Sequence, residues 1–165
     1  MNSALVRGLF SAAAEGFVTV VSAIRDDAWE RPGLGEWTVR DLVGHTSRSL
    51  STVEAYLGQP PGEITIHHPL DYLLALRSPA LDQAAIAQRG RDAGAALGSD
   101  PAAAVRGLAE RVTGLVASTL DEAPVRTLLG GATLVTYLPT RTFELSVHTL
   151  DVAGAVGVDP PAVLA

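Results

Sequence analysis

The stretch RTFELSVHTLD, residues 141–151, is the segment around which the rest of the chain can be arranged. Glu144 and His148 are four residues apart, and at about 100° per residue Arg141 and Asp151 fall on the same stripe of a helix. The stripe is predicted to divide an apolar face, with Leu138, Leu145 and Val152 on one side and Phe143, Val147 and Leu150 on the other. Charged groups that face a core must be paired or must hold a metal, because burying them alone is costly. The stretch is therefore predicted to carry a site.

The composition restricts the class of protein. A chain of 165 residues that is 47% hydrophobic fits one domain over residues 1–165, and no C-terminal second domain is expected. The net charge of -6 argues against a nucleic-acid partner. The absence of cysteine excludes disulfides and an internal thiol nucleophile. Because no uninterrupted run of about 18 apolar residues is present, we expect no signal peptide and no membrane partner, and we predict a cytoplasmic protein.

Helical spacing of apolar residues predicts the first helix over residues 3–26. Its predicted apolar face consists of Leu5, Leu9, Ala12, Phe17, Val20 and Ile24. Residues 29–37 contain Pro and Gly and are predicted to form a turn. We expect Trp29 and Trp37 to pack this turn onto the other helices, in preference to contacting a ligand.

The second helix is predicted from a cap formed by Thr38 and Asp41 to about Leu57. Its predicted apolar face consists of Val39, Leu42, Leu50, Val53 and Leu57. His45 lies at the edge of that face, where a histidine that only borders the core is the simpler interpretation. Three further residues share its stripe and are candidates for lining a pocket: Ser49, Thr52 and Tyr56.

The second half of the chain predicts three more helical segments. The first covers residues 70–97 with an irregularity at Pro79, and its predicted apolar face includes Leu73, Leu76, Ala80, Leu81, Ala84 and Ala87. The next begins with Asp100 as cap and Pro in the first turn and continues to Leu120. Residues 125–136 are either a short hairpin-like excursion or a linker.

The last helix is predicted to start between Leu134 and Pro139 and to end near Gly157. Together these segments predict an all-α fold, an antiparallel four-helix bundle with a long crossover between the second and third helices.

Bundles build metal sites from side chains on facing helices, and here His45 is on one helix while Glu144 and His148 are on another. Two imidazoles and one carboxylate are a ligand set that holds zinc with an open fourth position, or non-haem iron. The adjacent His67 and His68 are predicted to be loop residues and are kept as reserve ligands.

Two neighbours of the predicted ligands have alternative roles. Arg141 could pair with Glu144 or Asp151, which we favour, or could meet an anionic substrate group as a candidate catalytic residue. Asp151 could accept the second ring proton of a ligand histidine, or could form an ordinary ion pair on the helix face.

Two motifs carry a resemblance to a known family. The segment WTVRDLVGH, residues 37–45, with the preceding tryptophan turn, and the segment RTFELSVHTLDVA, residues 141–153, resemble the DinB-like superfamily. Within it, the chain is most similar to the N-terminal metal-binding domain of mycothiol-dependent maleylpyruvate isomerases and their actinobacterial relatives. The resemblance implies that His45, Glu144 and His148 bind a divalent metal, usually Zn²⁺, with Ni²⁺ or Fe²⁺ as alternatives.

The resemblance also implies a function. The metal would activate the thiolate of a low-molecular-weight thiol such as mycothiol for S-transfer or isomerisation of a small electrophile, and a homodimer is one arrangement that relatives adopt. Two alternatives remain open. One is a stand-alone bundle whose structural or vestigial metal supports a binding or dimerisation module. The other is a metal-free bundle, which requires His45 to lie more than about 5 Å from the other two residues.

Overall fold

The computed structural model describes residues 2–60, 62–76 and 82–162. Its helices are α1 (Ser3–Ser22), α2 (Val39–Leu57), α3 (Pro69–Ala75), α4 (Gln83–Ala96), α5 (Pro101–Ser118) and α6 (Leu134–Val156). A short 3₁₀ turn lies at Asp26–Ala28, and an antiparallel hairpin of β1 (Pro124–Thr127) and β2 (Gly130–Thr133) precedes α6. The predicted all-α, DinB-like fold is confirmed, as is the hairpin alternative for residues 125–136.

Four helices form the bundle. α1 packs against α5 and α6, and α2 packs against the same two helices. The interior is filled by large side chains with no solvent exposure, among them Phe10, Phe17, Leu42, Leu50, Leu138 and Leu145. Burial of apolar area on this scale is the main stabilising contribution to such a fold.

Local signals in the sequence set several helix ends. Thr38 and Asp41 form a reciprocal capping box, with Asp41 N donating to Thr38 Oγ1 over 3.2 Å and Thr38 N donating to Asp41 Oδ2 over 3.1 Å. Asp100 caps α5, whose first residue is Pro101. α6 ends at Gly157, which has φ +70° in the left-handed region that glycine tolerates best. These predicted boundaries are confirmed.

The predicted apolar face of α1 is wrong in the N-terminal half of the helix. Leu5 and Leu9 are 59% and 51% exposed, whereas Val6 and Phe10 are buried. The Ala-rich sequence offers two apolar stripes one residue apart, and both satisfy helical spacing. Contacts with α5 and α6 select between them, so the sequence pattern alone could not.

α1 is also long and apolar enough to cross a membrane, with a mean hydropathy of 1.5 over its most apolar window. Length and composition alone give this result, and 44% of that window is buried inside the structure. Phe10, Phe17 and Val20 are fully buried in the bundle, as in the core helix of a globular domain.

The single helix predicted over residues 70–97 is wrong. α3 ends at Ala75 and α4 begins at Gln83, and Pro79, Ala80 and Leu81 lie outside the described residues. The remaining members of the predicted apolar face are not fully buried: Leu73, Leu76, Ala84 and Ala87. α4 packs against α2 instead of joining the bundle.

α2 and α4 meet through glycines. A Cβ atom added to Gly44 would lie 2.1 Å from the backbone nitrogen of Gly94, and one added to Gly94 would lie 2.8 Å from the carbonyl oxygen of Arg40. A Cβ on Gly90 would lie 3.0 Å from the Trp37 ring. Only residues without side chains allow the two backbones to approach this closely, and this approach brings α4 against Trp37 and His45.

The crossover between α2 and α3 packs against the hairpin. Thr65 N and Ile66 N both donate to Gly131 O, over 2.9 and 3.0 Å. Gly131 allows this contact because it has no side chain. A Cβ atom at this position would lie only 2.2 Å from the Glu63 carbonyl oxygen. The turn before α2 is also fixed by specific contacts. Trp29 is buried, and its carbonyl oxygen accepts a hydrogen bond from Arg40 N over 2.9 Å. The predicted packing role of Trp29 is confirmed.

The charged stripe of α6 does not divide an apolar face as predicted. On one side Leu138, Leu145 and Val152 are fully buried, but on the other Phe143, Val147 and Leu150 are 52%, 38% and 39% exposed. Thr149 and Ala153, which belong to neither predicted apolar side, are buried. Small residues allow close packing between helices, so the side with Thr149 and Ala153 faces the core. The side with Phe143, Val147 and Leu150 faces the surface, and the charged stripe lies at the boundary between core and surface.

Candidate metal centre

The structure brings His45, Glu144 and His148 together. His45 lies in the middle of α2, and Glu144 and His148 lie one turn apart on the adjacent α6. One potential ligand atom from each of the three lies within 4.8 Å of the others, and all three side chains are half-buried. Because α2 and α6 are packed neighbours, the bundle itself sets this spacing.

Asp151 orients the ring of His148. Asp151 Oδ2 lies 2.9 Å from His148 Nδ1, and His148 Nε2 lies 3.4 Å from Glu144 Oε2. An ionised carboxylate can only accept a hydrogen bond, so Nδ1 carries the proton and Nε2 is directed towards Glu144. Burial lowers the pKa of His148, but hydrogen bonds to Glu144 and Asp151 outweigh burial and raise it overall. The hydrogen bond from His148 lowers the pKa of Glu144.

His45 is held in a different electrostatic environment. Its ring centroid lies 4.5 Å from that of Trp37 and 4.8 Å from that of His148. Burial, followed by the charge of His148, lowers the pKa of His45 to about 4, so this imidazole is neutral at pH 7 and can act as a ligand. Its Nδ1 is buried without a hydrogen-bond partner among the residues that the structure describes. A buried nitrogen of this kind is costly unless something binds it.

These residues fit a divalent cation. Neutral imidazole nitrogen and carboxylate oxygen are the donors that zinc and similar ions bind, and His45, whose Nδ1 has no hydrogen-bond partner among the described residues, belongs to the cluster. Two donors on one tetrahedral ion are about 3.4 Å apart. The ligand atoms, which now lie up to 4.8 Å from one another, would therefore have to move together by about 1 Å or more to hold one ion.

A cavity of about 280 Å³ opens beside the cluster, and both His45 and Glu144 line it. Ser49, Thr52 and Tyr56, the residues predicted from the His45 stripe, also line this cavity. Thr52 Oγ1 donates to Arg48 O over 2.7 Å and accepts from Tyr137 OH over 3.1 Å. The polar wall of the cavity is thus held in place by one hydrogen bond within α2 and one between α6 and α2.

The favoured pairing of Arg141 with Glu144 or Asp151 is wrong. Both carboxylates contact His148 instead, and neither lies within 4.0 Å of the Arg141 guanidinium. Arg141 lines the cavity and stacks between two tyrosines, with its Cζ 5.0 Å from the ring centroid of Tyr72 and 4.9 Å from that of Tyr137. The reserve ligands His67 and His68 are exposed in the crossover and do not join the cluster.

Several cavity residues were missed by sequence reasoning. Arg48 follows His45 by three residues and Tyr137 precedes Arg141 by four, so helical spacing could have found both. No local signal marks Arg89 or Tyr72, because α4 and α3 come to the cavity only through tertiary packing. The structure also gives Trp37 a second contact, since Nε1 donates to Ala87 O over 3.2 Å while the ring packs on His45.

Replacement of Asp151 is expected to weaken metal binding without unfolding the protein. Asp151→Ala removes the acceptor that fixes His148 Nδ1, and loss of such a partner typically costs about 10- to 100-fold in metal affinity. Competition with a chromogenic zinc chelator measures the change. Asp159→Ala, an exposed position beyond α6, is the control and should bind zinc like the unmodified protein. Equal affinities in the two variants would contradict the positioning role.

Comparison with known proteins places the chain in a family. The family model described as mycothiol maleylpyruvate isomerase N-terminal domain matches residues 10–153. The match begins in α1, ends in the last turn of α6 and includes all three residues of the cluster. No curated protein and no solved structure matches the chain significantly. The fold and the length of this match agree with the resemblance of the two motifs, and the chain belongs to the mycothiol maleylpyruvate isomerase N-terminal domain family.

Proposed function

We propose that the protein binds a divalent metal ion, with Zn²⁺ as the first candidate, through His45, Glu144 and His148. We further propose that it activates a low-molecular-weight thiol of the mycothiol type for reaction with a small electrophile. The observation that carries the proposal is the cluster of three ligand atoms within 4.8 Å at the wall of a cavity. The thiol must come from outside, because the chain has no cysteine.

When bound, such an ion supplies Lewis acidity that lowers the pKa of a thiol to near neutrality. The residues of the chain prepare the site for this chemistry. Asp151 keeps the proton on His148 Nδ1, Glu144 is the one anionic residue among the three ligands, and burial keeps His45 neutral. Hydroxyl groups of Ser49, Thr52 and Tyr56 offer hydrogen bonds along the wall. The same proposal places the protein in the cytoplasm, where thiols are kept reduced.

The geometry favours this function over the two alternatives. A purely structural metal site predicts a closed ligand shell, whereas here a cavity lies beside His45 and Glu144. A metal-free bundle predicts a separation above about 5 Å, whereas the three ligand atoms lie within 4.8 Å.

Cobalt substitution tests the proposed function directly. Protein loaded with Co²⁺ should show a ligand-field spectrum, and added 2-mercaptoethanol should produce a sulfur-to-metal charge-transfer band. His148→Ala should show neither. If the protein retained cobalt but its spectrum did not change on addition of 2-mercaptoethanol, the structural-metal alternative would be supported. Failure to retain any metal would overturn the proposal altogether.

A further inference from the structure

Trp37 lies directly against the proposed metal ligand His45. The centroids of the indole and imidazole rings are 4.5 Å apart, and the two ring planes are inclined by 34°. The imidazole also meets the His148 ring edge-on, with centroids 4.8 Å apart and planes at 83°. His148 Nδ1 is oriented by its contact with Asp151. The Nδ1 atom of His45 has no hydrogen-bond partner among the described residues, so at this nitrogen the ring depends on packing.

The indole ring is itself fixed, through both its backbone and its ring nitrogen. Trp37 N donates to Leu34 O over 3.0 Å, and Trp37 O accepts from Gly33 N over 2.8 Å. Nε1 donates to Ala87 O on α4 over 3.2 Å. These hydrogen bonds tie the turn before α2 to α4. The indole ring therefore cannot swing away from His45 without losing its hydrogen bond to α4.

Gly90 on α4 completes the packing around the two rings. A Cβ atom added to Gly90 would lie 3.0 Å from Trp37 Cζ2 and 3.4 Å from the Cβ atom of His45. The backbone of α4 thus approaches the indole ring as closely as a residue without a side chain allows. The α4 backbone, the indole and the imidazole form one continuous stack.

The same stretch of α4 also lines the cavity. Ile86 and Arg89 are part of the cavity wall. Each is followed directly by a residue that packs on Trp37, namely Ala87 or Gly90. A displacement of the indole ring would therefore disturb a proposed metal ligand and a wall of the cavity together.

An indole ring suits this place better than an aliphatic side chain when His45 binds a cation. A metal-bound imidazole shares the positive charge of its ion, and the face of tryptophan attracts positive charge more strongly than that of the other aromatic side chains. A group that orients a metal ligand from behind typically contributes about 10- to 100-fold to metal affinity. For His148 that group is Asp151, and for His45 the neighbouring group is Trp37.

We propose that Trp37 is a positioning residue for His45. Its indole ring, anchored to α4 through Nε1, holds the imidazole in its place in the cluster and stabilises the charge that the imidazole takes up from a metal ion. This role goes beyond the packing of the turn that the sequence predicts for Trp37. The inference rests on the proposed function for its metal, whereas the orientation of the His45 ring is a property of the protein alone.

The mobility of the His45 ring in zinc-free protein tests the positioning role without a metal. NMR relaxation of ¹³C-labelled histidine side chains should show a rigid His45 ring in the unmodified protein. In Trp37→Leu the order parameter of that ring should fall towards the value of about 0.6 that is typical of flexible groups. Trp37→Phe, which keeps an aromatic ring, should restore most of the rigidity.

Trp29→Phe is the matched control. Trp29 belongs to the same turn, but its ring packs against Arg40, whose Cζ atom lies 5.6 Å from the ring centroid. This variant should lose stability and keep a rigid His45 ring, and circular dichroism verifies that all variants fold.

Zinc affinity and tryptophan fluorescence are the second set of measurements. Trp37→Leu should lower zinc affinity by about tenfold and Trp37→Phe by about threefold or less, whereas Trp29→Phe should bind zinc normally. Because the chain has two tryptophans, each Phe variant leaves a single one. Zinc should change the emission of Trp37 in Trp29→Phe and leave the emission of Trp29 in Trp37→Phe unaltered.

The outcomes separate this inference from the proposed function. A purely structural Trp37 predicts that Trp37→Leu and Trp29→Phe both lose stability while the His45 ring stays equally ordered and zinc affinity equal, and this result would overturn the positioning role. If the unmodified protein bound no zinc, the proposed function would fail. A mobile His45 ring in Trp37→Leu, but not in Trp29→Phe, would still support the positioning role in that case.

Discussion

His45→Ala is expected to abolish zinc binding and the stability that zinc confers. His45 is the one member of the cluster on α2, so its loss leaves two donors on a single helix. A ligand present at a thousand times its dissociation constant stabilises the folded state by about 4 kcal/mol. For a chain of this size that corresponds to roughly 8 to 16 °C in the unfolding temperature. Zinc should raise the unfolding temperature of the unmodified protein by this amount and leave His45→Ala unchanged.

His67→Ala provides the control for this prediction. His67 is an exposed histidine of the crossover, outside the cluster, so its replacement removes an imidazole without touching the site. Thermal unfolding with zinc and with chelator, together with elemental analysis of protein purified without added metal, measures both properties. The proposed centre would be ruled out if His45→Ala and His67→Ala had the same zinc content and were stabilised equally by zinc.

Gly44→Ala is expected to destabilise the fold by about 3 kcal/mol or more, near the upper end of overpacking effects. The added methyl group would lie 2.1 Å from Gly94 N and 2.5 Å from Gly94 Cα. Backbone atoms cannot rotate away as a flexible side chain can, so α2 and α4 must separate. The separation would also move Gly90 away from Trp37 and His45. These residues are close neighbours, since a Cβ atom added to Gly90 would lie 3.4 Å from the Cβ atom of His45.

Gly114→Ala on α5 is the matched control. Gly114 is also inside a helix, but a Cβ atom there has nothing within 4 Å. Replacement should be neutral or stabilising by up to about 1 kcal/mol, because alanine loses less backbone entropy in a helix. Chemical denaturation of both variants gives the free energies of unfolding. If Gly44→Ala were as stable as Gly114→Ala, the close contact between α2 and α4 would be incorrect.

Features that depend on short-range chemistry could be predicted from the sequence. The caps at Thr38 and Asp100 and the end at Gly157 are examples, because the residue types themselves supply or accept the local hydrogen bonds. The faces of α1 and α6 could not be predicted as reliably. Both helices have apolar residues on more than one stripe, and only the neighbouring helices decide which stripe is buried.

The candidate site shows the same division. The spacing of Glu144 and His148 predicts a pair on one helix face, and the spacing from His45 to Tyr56 predicts one wall of the cavity. The predicted pairing of Arg141 with Glu144 or Asp151 is wrong. His148 lies about one turn from each of these carboxylates on α6, and both of them contact its ring. Arg89 could not be found at all, since its place in the cavity depends on the glycine contact between α4 and α2.

The separation of the cluster along the chain sets an order of events during synthesis. His45 leaves the ribosome long before Glu144 and His148, and the packing of α6 on α1 and α2 joins segments from opposite ends of the described chain. Contacts of such long sequence separation form late, because the closure of the intervening loop must be compensated first. Before α6 docks, Glu144 and His148 do not lie next to His45, and the three-residue cluster is not assembled. The proposed metal centre is therefore complete only after α6 has docked.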